Sequence, residues 1–398
     1  MSFVIFIIQA RPKCFTNNAK GAIMITGFSN EIMATLHRSA ESVTPGHPDK
    51  ICDQLADTLV DLALAQGSNC RMAAEVTGGH NELFITGEAK VKQDLDEFKK
   101  ESVDDIHRVY HEITGSELAT VIFNLVMQSP EIAQGVDTGG AGDQGVMIGY
   151  ATDENPEMVP QPFLLARRLT DEMFRLQQTR GLPWIKSDGK SEIVMCGDKV
   201  IALVIGIQHA EDVSQEQIKA DLLERVINPI IGYLPDHHVI NGTGKFVLGG
   251  FDADSGTTGR KLIVDNYGPE IPIGGGAYSG KDPTKVDRSA AYMARYIAKN
   301  IVAHGIERAH RALVQIAYVI GVAEPVGLIA VTETGTDVSG WVRENFDLRP
   351  RAIFERLNLW RPIYRTVNVG GHYGVDHTNP ANADKLDIWT WEQIDLSL

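Results

Sequence analysis

The sequence predicts an α+β chain built largely on antiparallel sheets. Runs of strand length mix with amphipathic helical stretches, without the strict βα rhythm that a parallel sheet requires. At 398 residues, the length fits two or three domains. With 43 % hydrophobic and 22 % charged residues, the composition suits an ordinary soluble fold and argues against wholesale disorder.

Residues 1–32 stand apart. An apolar hexapeptide, Phe3 to Ile8, is followed by Arg11-Pro12-Lys13 and a polar Asn17-Asn18 stretch with no sustained period. This predicts a poorly ordered or non-native extension, with Met24 and Met33 as later starts, or alternatively an added edge strand. From Pro48 the pattern turns helical: Ile51, Leu55, Leu59 and Leu62 share one face, and Asp53, Asp57 and Asp61 line another. Pro48 suits the first helical position. Strands are expected at 71–77 and 82–86, then a charged helix over 93–111 and an apolar run over 119–128. A loop rich in glycine and acids follows. The second half predicts a strand pair over 194–208, a helix over 214–227 and strands around a glycine turn over 244–265. An Ala-rich helix over 283–302 and strands at 315–320 and 327–332 complete the pattern. No internal repeat is visible.

The net charge of −15 disfavours the coating of nucleic acid or of an anionic membrane, although a local basic site stays open. No apolar run approaches the ~20 residues of a membrane helix. Phe3 to Ile8 has no basic segment before it and is short for a signal core. The four cysteines are scattered without a C-x-x-C pair, which reads as reduced thiols in a cytoplasmic protein without a zinc site.

Four constellations carry chemistry. Gly46-His47-Pro48-Asp49-Lys50 opens a helix, where backbone N–H groups and the dipole favour a phosphate. There His47 could donate to a departing phosphate oxygen and Asp49 could bind Mg²⁺. Routine capping explains the same residues. In Gly139-Gly140-Ala141-Gly142-Asp143-Gln144-Gly145, glycines flank one acid, so Asp143 could accept from a ligand; a surface turn is the plain alternative.

Gly249 to Lys261 places Asp254 before adjacent Arg260 and Lys261, either a phosphate grip or a hairpin with a solvated tip. Gly274-Gly275-Gly276-Ala277-Tyr278-Ser279-Gly280-Lys281 nearly matches a phosphate loop, but Asp282 replaces the Ser/Thr that would ligate Mg²⁺. Asp282-Pro283 reads instead as N-cap and first position of the next helix. Lys281 and Lys285 could share a face with Asp287 as a metal ligand nearby. Lysines and an arginine beside glycine loops, with acids suited to Mg²⁺, point to an enzyme of nucleotide polyphosphates.

Taken in order, these motifs resemble the methionine adenosyltransferases, or S-adenosylmethionine synthetases. The stretches are Glu41-Ser42-Val43 through Lys50, Gly140 to Gly145, Gly274 to Pro283 with Lys285 to Tyr292, Gly321 to Pro325 and Phe346 to Pro350. The resemblance implies three intertwined α+β domains related by pseudo-threefold symmetry, here 33–130, 131–247 and 248–398, paired into a homodimer with active sites at the interface and possibly a dimer of dimers. It implies ATP, L-methionine and water as substrates, two Mg²⁺ and a K⁺ per site, and S-adenosylmethionine, phosphate and pyrophosphate as products.

Carried over by motif, His47, Lys190, Arg260 and Lys281 would act on the triphosphate. Asp188, Lys245, Phe246, Asp254, Lys261 and Ala277 would bind ATP. Glu88, Gln128, Asp143 and Lys285 would line the methionine side, Asp49 and Asp287 would ligate Mg²⁺, and Glu75 would belong to the K⁺ site. Two departures stand out. A gate between Gln134-Gly135-Val136-Asp137 and Gly140 is usually longer, and only Thr138 and Gly139 intervene here, so product release is expected to be faster or the site less sealed. Ser255 stands where some members carry cysteine. The rival readings are a kinase or ligase that releases ADP or AMP, and a silent nucleotide-binding subunit; the retained His47, Asp49, Lys190, Lys281 and Asp287 argue against the latter.

Overall fold

A computed structural model describes residues 37–129 and 139–398. The extension expected at 1–32 and the gate residues 134–138 lie outside them. In chain order the main elements are β1 (His37–Val43), α1 (Pro48–Ala65), β2 (Arg71–Gly79), β3 (Glu82–Lys90), α2 (Leu95–Thr114) and β4 (Thr120–Met127). Next come β5 (Gly145–Thr152), α3 (Gln161–Gln178), β6 (Ile185–Cys196), β7 (Lys199–His209), α4 (Gln215–Leu222) and β8 (His237–Ile240). The last are β9 (Gly256–Thr257), α5 (Val286–Ala303), β10 (Arg311–Tyr318), β11 (Gly327–Thr332) and α6 (Tyr364–Gly370), with short helical turns between and after them.

These strands make three sheets, ordered β1-β6-β7-β8, β4-β3-β2-β9 and β11-β10-β5. The β3–β4 and β7–β8 pairs are parallel and the other pairs antiparallel. Each sheet packs against one 18-residue helix: α3 on β1 and β6, α1 on β2, and α5 on β5 and β10. Every sheet also takes one strand from a distant part of the chain. β1 joins the sheet of residues 185–240, β5 joins that of 311–332, and β9 joins that of 71–127.

The helices form for local reasons. His47 caps α1, with Pro48 at its first position. Asp94 caps α2 by accepting the N–H groups of Asp96 and Glu97, and Gly115, in the left-handed region at φ 72°, ends it. The alanines of α5 answer a close approach: a Cβ on Gly149 of β5 would lie 2.0 Å from the Ala294 carbonyl carbon. Behind α5, Glu392 is fully buried between Arg295 at 2.8 Å and Lys299 at 2.9 Å. Burial alone would raise the Glu392 carboxyl, but the two cations outweigh it and hold it down at about 2.

Two expectations fail. The span 244–265 is not a strand pair: it contains the two-residue β9, a 3-10 turn over Gly250–Asp252 and one helical turn over Leu262–Asp265. The N–H groups of Thr257 and Gly259 go to carboxylates of α1, and only the short β9 between Gly256 and Thr257, with Thr258 N on Val76 O, pairs with a strand. Nor does Asp282 cap the following helix, which starts at Val286 with Lys285 in the capping position. Asp282 instead accepts from Met72 N at 2.9 Å and Thr284 N at 2.8 Å, tying the loop to β2. Lys281 therefore precedes the helix and shares no face of it with Lys285. Among the described residues, no helix is long and apolar enough to cross a membrane.

Candidate active site

The entry to α1 forms the centre. His47 Nδ1 accepts the Asp49 N–H at 3.2 Å, so the ring proton of the neutral imidazole sits on Nε2. Burial, with the charges of Lys261 and Lys190, lowers the His47 pKa to about 3. At neutral pH this residue is therefore an uncharged hydrogen-bond donor. Asp49 Oδ1 accepts the Thr257 N–H at 2.9 Å, Oδ2 lies 2.5 Å from Lys261 Nζ, and Arg260 Nε is 3.5 Å from Oδ1. Burial opposes ionisation of Asp49, yet Lys261 and the Thr257 N–H together hold its pKa below the usual value.

β6 brings in the next group. Lys190 pairs in register with Val43, just before the α1 entry, and Gly46 lies so close that a Cβ there would come within 2.4 Å of Ser187 O. The exposed Lys190 thus projects its charge onto His47. Asp188, raised by burial, accepts the Gly250 N–H at 2.9 Å, and Phe246 N donates to His209 Nε2 at 3.0 Å. Lys245 is exposed beside it. Asp254 accepts from Ser255 N and adds its field to His47. The proposed nucleotide residues of 245–261 therefore hang between β6, β7 and α1.

The 274–287 loop supplies the other side. Lys281 Nζ sits 2.6 Å from Asp287 Oδ2. Ala277 adjoins Gly259, where a Cβ would lie 2.7 Å from the Ala277 Cβ, so the two cationic loops touch. The backbone of Lys281 bridges to Ala73 of β2. There a cleft of about 380 Å³ is lined by Glu75 and Glu88 together with Lys281. Gln128 Nε2 donates to Glu88 Oε1 at 2.9 Å. Residues expected on the phosphate side and on the methionine side thus meet at Lys281. Two predicted residues stand apart: Asp143 is exposed and accepts from Gln144 N, and Lys285 Nζ turns back to Asp282 at 3.0 Å.

Three family models match the chain in succession: the N-terminal domain of S-adenosylmethionine synthetase over 35–130, the central domain over 138–246 and the C-terminal domain over 248–383. The chain belongs to the S-adenosylmethionine synthetase family. Among its relatives is the S-adenosylmethionine synthase of Thermus thermophilus, 43 % identical over 370 residues, covering 84 % of this chain and 93 % of that one. The synthase of Desulforudis audaxviator is 42 % identical over 389 residues, covering 90 % and 95 %. That of Deinococcus deserti is 42 % identical over 379 residues, covering 84 % and 94 %. Membership carries the family's activity, methionine adenosyl transfer.

Within this synthetase site the sequence left several contributors unassigned. Lys50 is buried, with Nζ 2.7 Å from Asp265 and 3.1 Å from Asp53, and those carboxylates outweigh its burial and raise its pKa. Asp53, Asp57 and Arg288 are buried beneath the cationic loops. The available signal was the four-residue spacing of acids along α1, which also describes a solvated helix face.

Proposed function

We propose that the chain transfers the adenosyl group of ATP to L-methionine with His47, Lys190, Arg260, Lys261 and Lys281 gathered on the triphosphate. The methionine sulfur lone pair forms the S–C5′ bond while the C5′–O bond breaks, leaving its electrons on triphosphate. Water then cleaves the triphosphate to phosphate and pyrophosphate. A thioether has no proton to lose, so this displacement needs no general base. What it needs is in-line alignment and neutralisation of a leaving group of several negative charges.

The observation that carries the reading is the geometry at the α1 entry, where His47 Nδ1 accepts the Asp49 N–H and leaves Nε2 as the donor, beside the Asp49–Lys261 pair. An uncharged donor can approach the bridging oxygen and strengthen its hydrogen bond as charge develops there. Lys190, Arg260, Lys261 and Lys281 neutralise the remaining phosphate oxygens. Phe246, Lys245, Asp188 and Ala277 hold the nucleotide and Glu88 and Gln128 the methionine side, which Asp143 and Lys285, apart within one chain, would join from a second copy.

Asp49 and Asp287 are hard oxygen donors, each now neutralised by a lysine amine. That donor set suits Mg²⁺, which usually takes one or two carboxylates and completes its shell with phosphates and water. Two Mg²⁺ would be held there, and Glu75, on the cleft beside Lys281, would hold K⁺. When bound, the ions add positive charge against the developing triphosphate.

The outer face of the β4-β3-β2-β9 sheet exposes Phe84, Ile122 and Val126, an apolar surface suited to a second copy. Homodimerisation through this face would bring in partner groups for the methionine side, and a dimer of dimers would build on it. The described cysteines, Cys52, Cys70 and Cys196, are free, which suits a reducing cytoplasm.

Mass spectrometry of the protein with ATP, L-methionine, Mg²⁺ and K⁺ tests the reading. The sulfonium product with equal phosphate and pyrophosphate is expected. ADP or AMP without it would overturn the reading in favour of phosphoryl or adenylyl transfer.

A further inference from the structure

One helix holds both cationic loops by the same construction, used twice. Asp53 Oδ1 accepts the N–H of Gly259 at 2.9 Å, and Asp57 Oδ1 accepts the N–H of Gly280 at 2.8 Å. Both glycines lie in the left-handed region, each at φ 79°. Each is followed at once by a cation assigned to the triphosphate, Arg260 after Gly259 and Lys281 after Gly280. Asp53 and Asp57 are themselves fully buried.

Each clamp has its own counter-charge. Lys50 sits 3.1 Å from Asp53 Oδ2. Arg288 reaches both oxygens of Asp57 at 2.7 Å and donates a further bond to Lys281 O at 3.1 Å. Asn368 donates to Asp57 Oδ2 at 3.0 Å. The backbone around Lys281 is thus gripped at Gly280 N before it, at Gly280 O, which accepts the Ala74 N–H at 2.9 Å, and at Lys281 O after it. At this point the loop has no room to shift, since a Cβ on Gly280 would lie 2.0 Å from Ala74 O.

We propose that Asp53 and Asp57 are positioning residues that set the spacing of Arg260 and Lys281 by clamping the glycine before each. One turn of α1 separates the clamps, about 6 Å at 1.5 Å per residue, which is the scale of a bound triphosphate. A buried backbone N–H without a partner is costly, so the acceptor fixes where the loop settles. Arg260 and Lys281 then meet the leaving group pre-aligned, without reordering on binding. The inference rests on the proposal that these two cations hold the triphosphate.

The experiment compares Asp53→Ala, Asp53→Asn and Asp57→Asn with Lys281→Ala, measuring KM for ATP, for inorganic triphosphate in the hydrolytic half-reaction and for methionine. Asp53→Ala is expected to raise KM for ATP and triphosphate tenfold or more, with KM for methionine within twofold. Asp53→Asn keeps an oxygen for the Gly259 N–H and leaves Lys50 with Asp265, so it should restore most of the loss. A folded Asp53→Ala with an unchanged triphosphate KM overturns the clamp, as does Asp53→Asn behaving like alanine.

If Lys281→Ala also leaves triphosphate binding unchanged, the phosphate assignment itself fails. If only Lys281→Ala weakens it, the clamp alone fails. Should the buried variants not fold, hydrogen exchange on the unaltered protein decides. The Gly259 and Gly280 amides should exchange as slowly as the interior of α1, and exchange at open-loop rates would overturn the clamp.

Discussion

Gly276 lies so close to Asp287 that a Cβ there would sit 2.1 Å from the carboxylate carbon and within 2.5 Å of both oxygens. The φ of Gly276 is not in the left-handed region, so space alone demands the glycine. The glycine run therefore wraps the acid that pairs with Lys281, and the loop and the Asp287 carboxylate form one packed unit.

Gly276→Ala is accordingly expected to displace Asp287 while leaving the fold intact. Activity should fall at least tenfold, with a change in Tm of only a few degrees. Gly280→Ala differs, because its Cβ meets backbone at Ala74 O in a left-handed residue, so that variant should lose stability first. Paired kinetics and thermal melts separate the two.

Metal dependence follows from the two acid–lysine pairs. Chelation of divalent ions should abolish turnover, and added Mg²⁺ should restore it. Asp287→Asn should raise the half-saturating Mg²⁺ concentration severalfold, as read from a titration of activity. An unchanged Mg²⁺ titration in that variant would remove Asp287 from the metal site.

Ile122, on β4, is exposed on the apolar sheet face. Ile122→Glu should convert a dimer to a monomer in sedimentation velocity and lose most activity, with the far-UV circular dichroism unchanged. A monomeric but fully active variant would place the methionine side within one chain.

The buried Glu392 gives a pH signature. Its carboxyl is held at about 2 in the fold against an ordinary value of 4.5, so the folded state binds fewer protons than the unfolded state between those values. Stability from this group is present above about pH 4.5 and is lost as the pH falls toward 2. Full protonation would cost roughly 3 kcal/mol. Urea midpoints measured across pH 5 to 2.5 should show the loss, and Glu392→Gln should start lower and flatten the slope.

The elements legible in the sequence were those whose causes are local. α1 was readable from Pro48 and the spacing of Ile51, Leu55 and Leu59, and the cationic loops from their glycine runs. The span 244–265 misled because its glycine turn looked like a hairpin. Its N–H groups at Thr257 and Gly259 are satisfied by Asp49 and Asp53, some 208 and 206 residues away in sequence. Periodicity does not report such distant partners. The same distance hid Asp57, whose glycine partner lies 223 residues along the chain.

The strand arrangement has a consequence for how such a protein can be divided. β1 lies in the segment matched by the N-terminal family model but completes the central sheet, β5 lies in the central segment but completes the C-terminal sheet, and β9 lies in the C-terminal segment but completes the N-terminal sheet. The exchange closes on itself, so a cut near 130 or 247 leaves every fragment with a gap in its own sheet and an orphan strand pointing outward. The three segments are units of ancestry without being modules that can be shuffled. Fragments made separately should aggregate, and fragments made together should find one another.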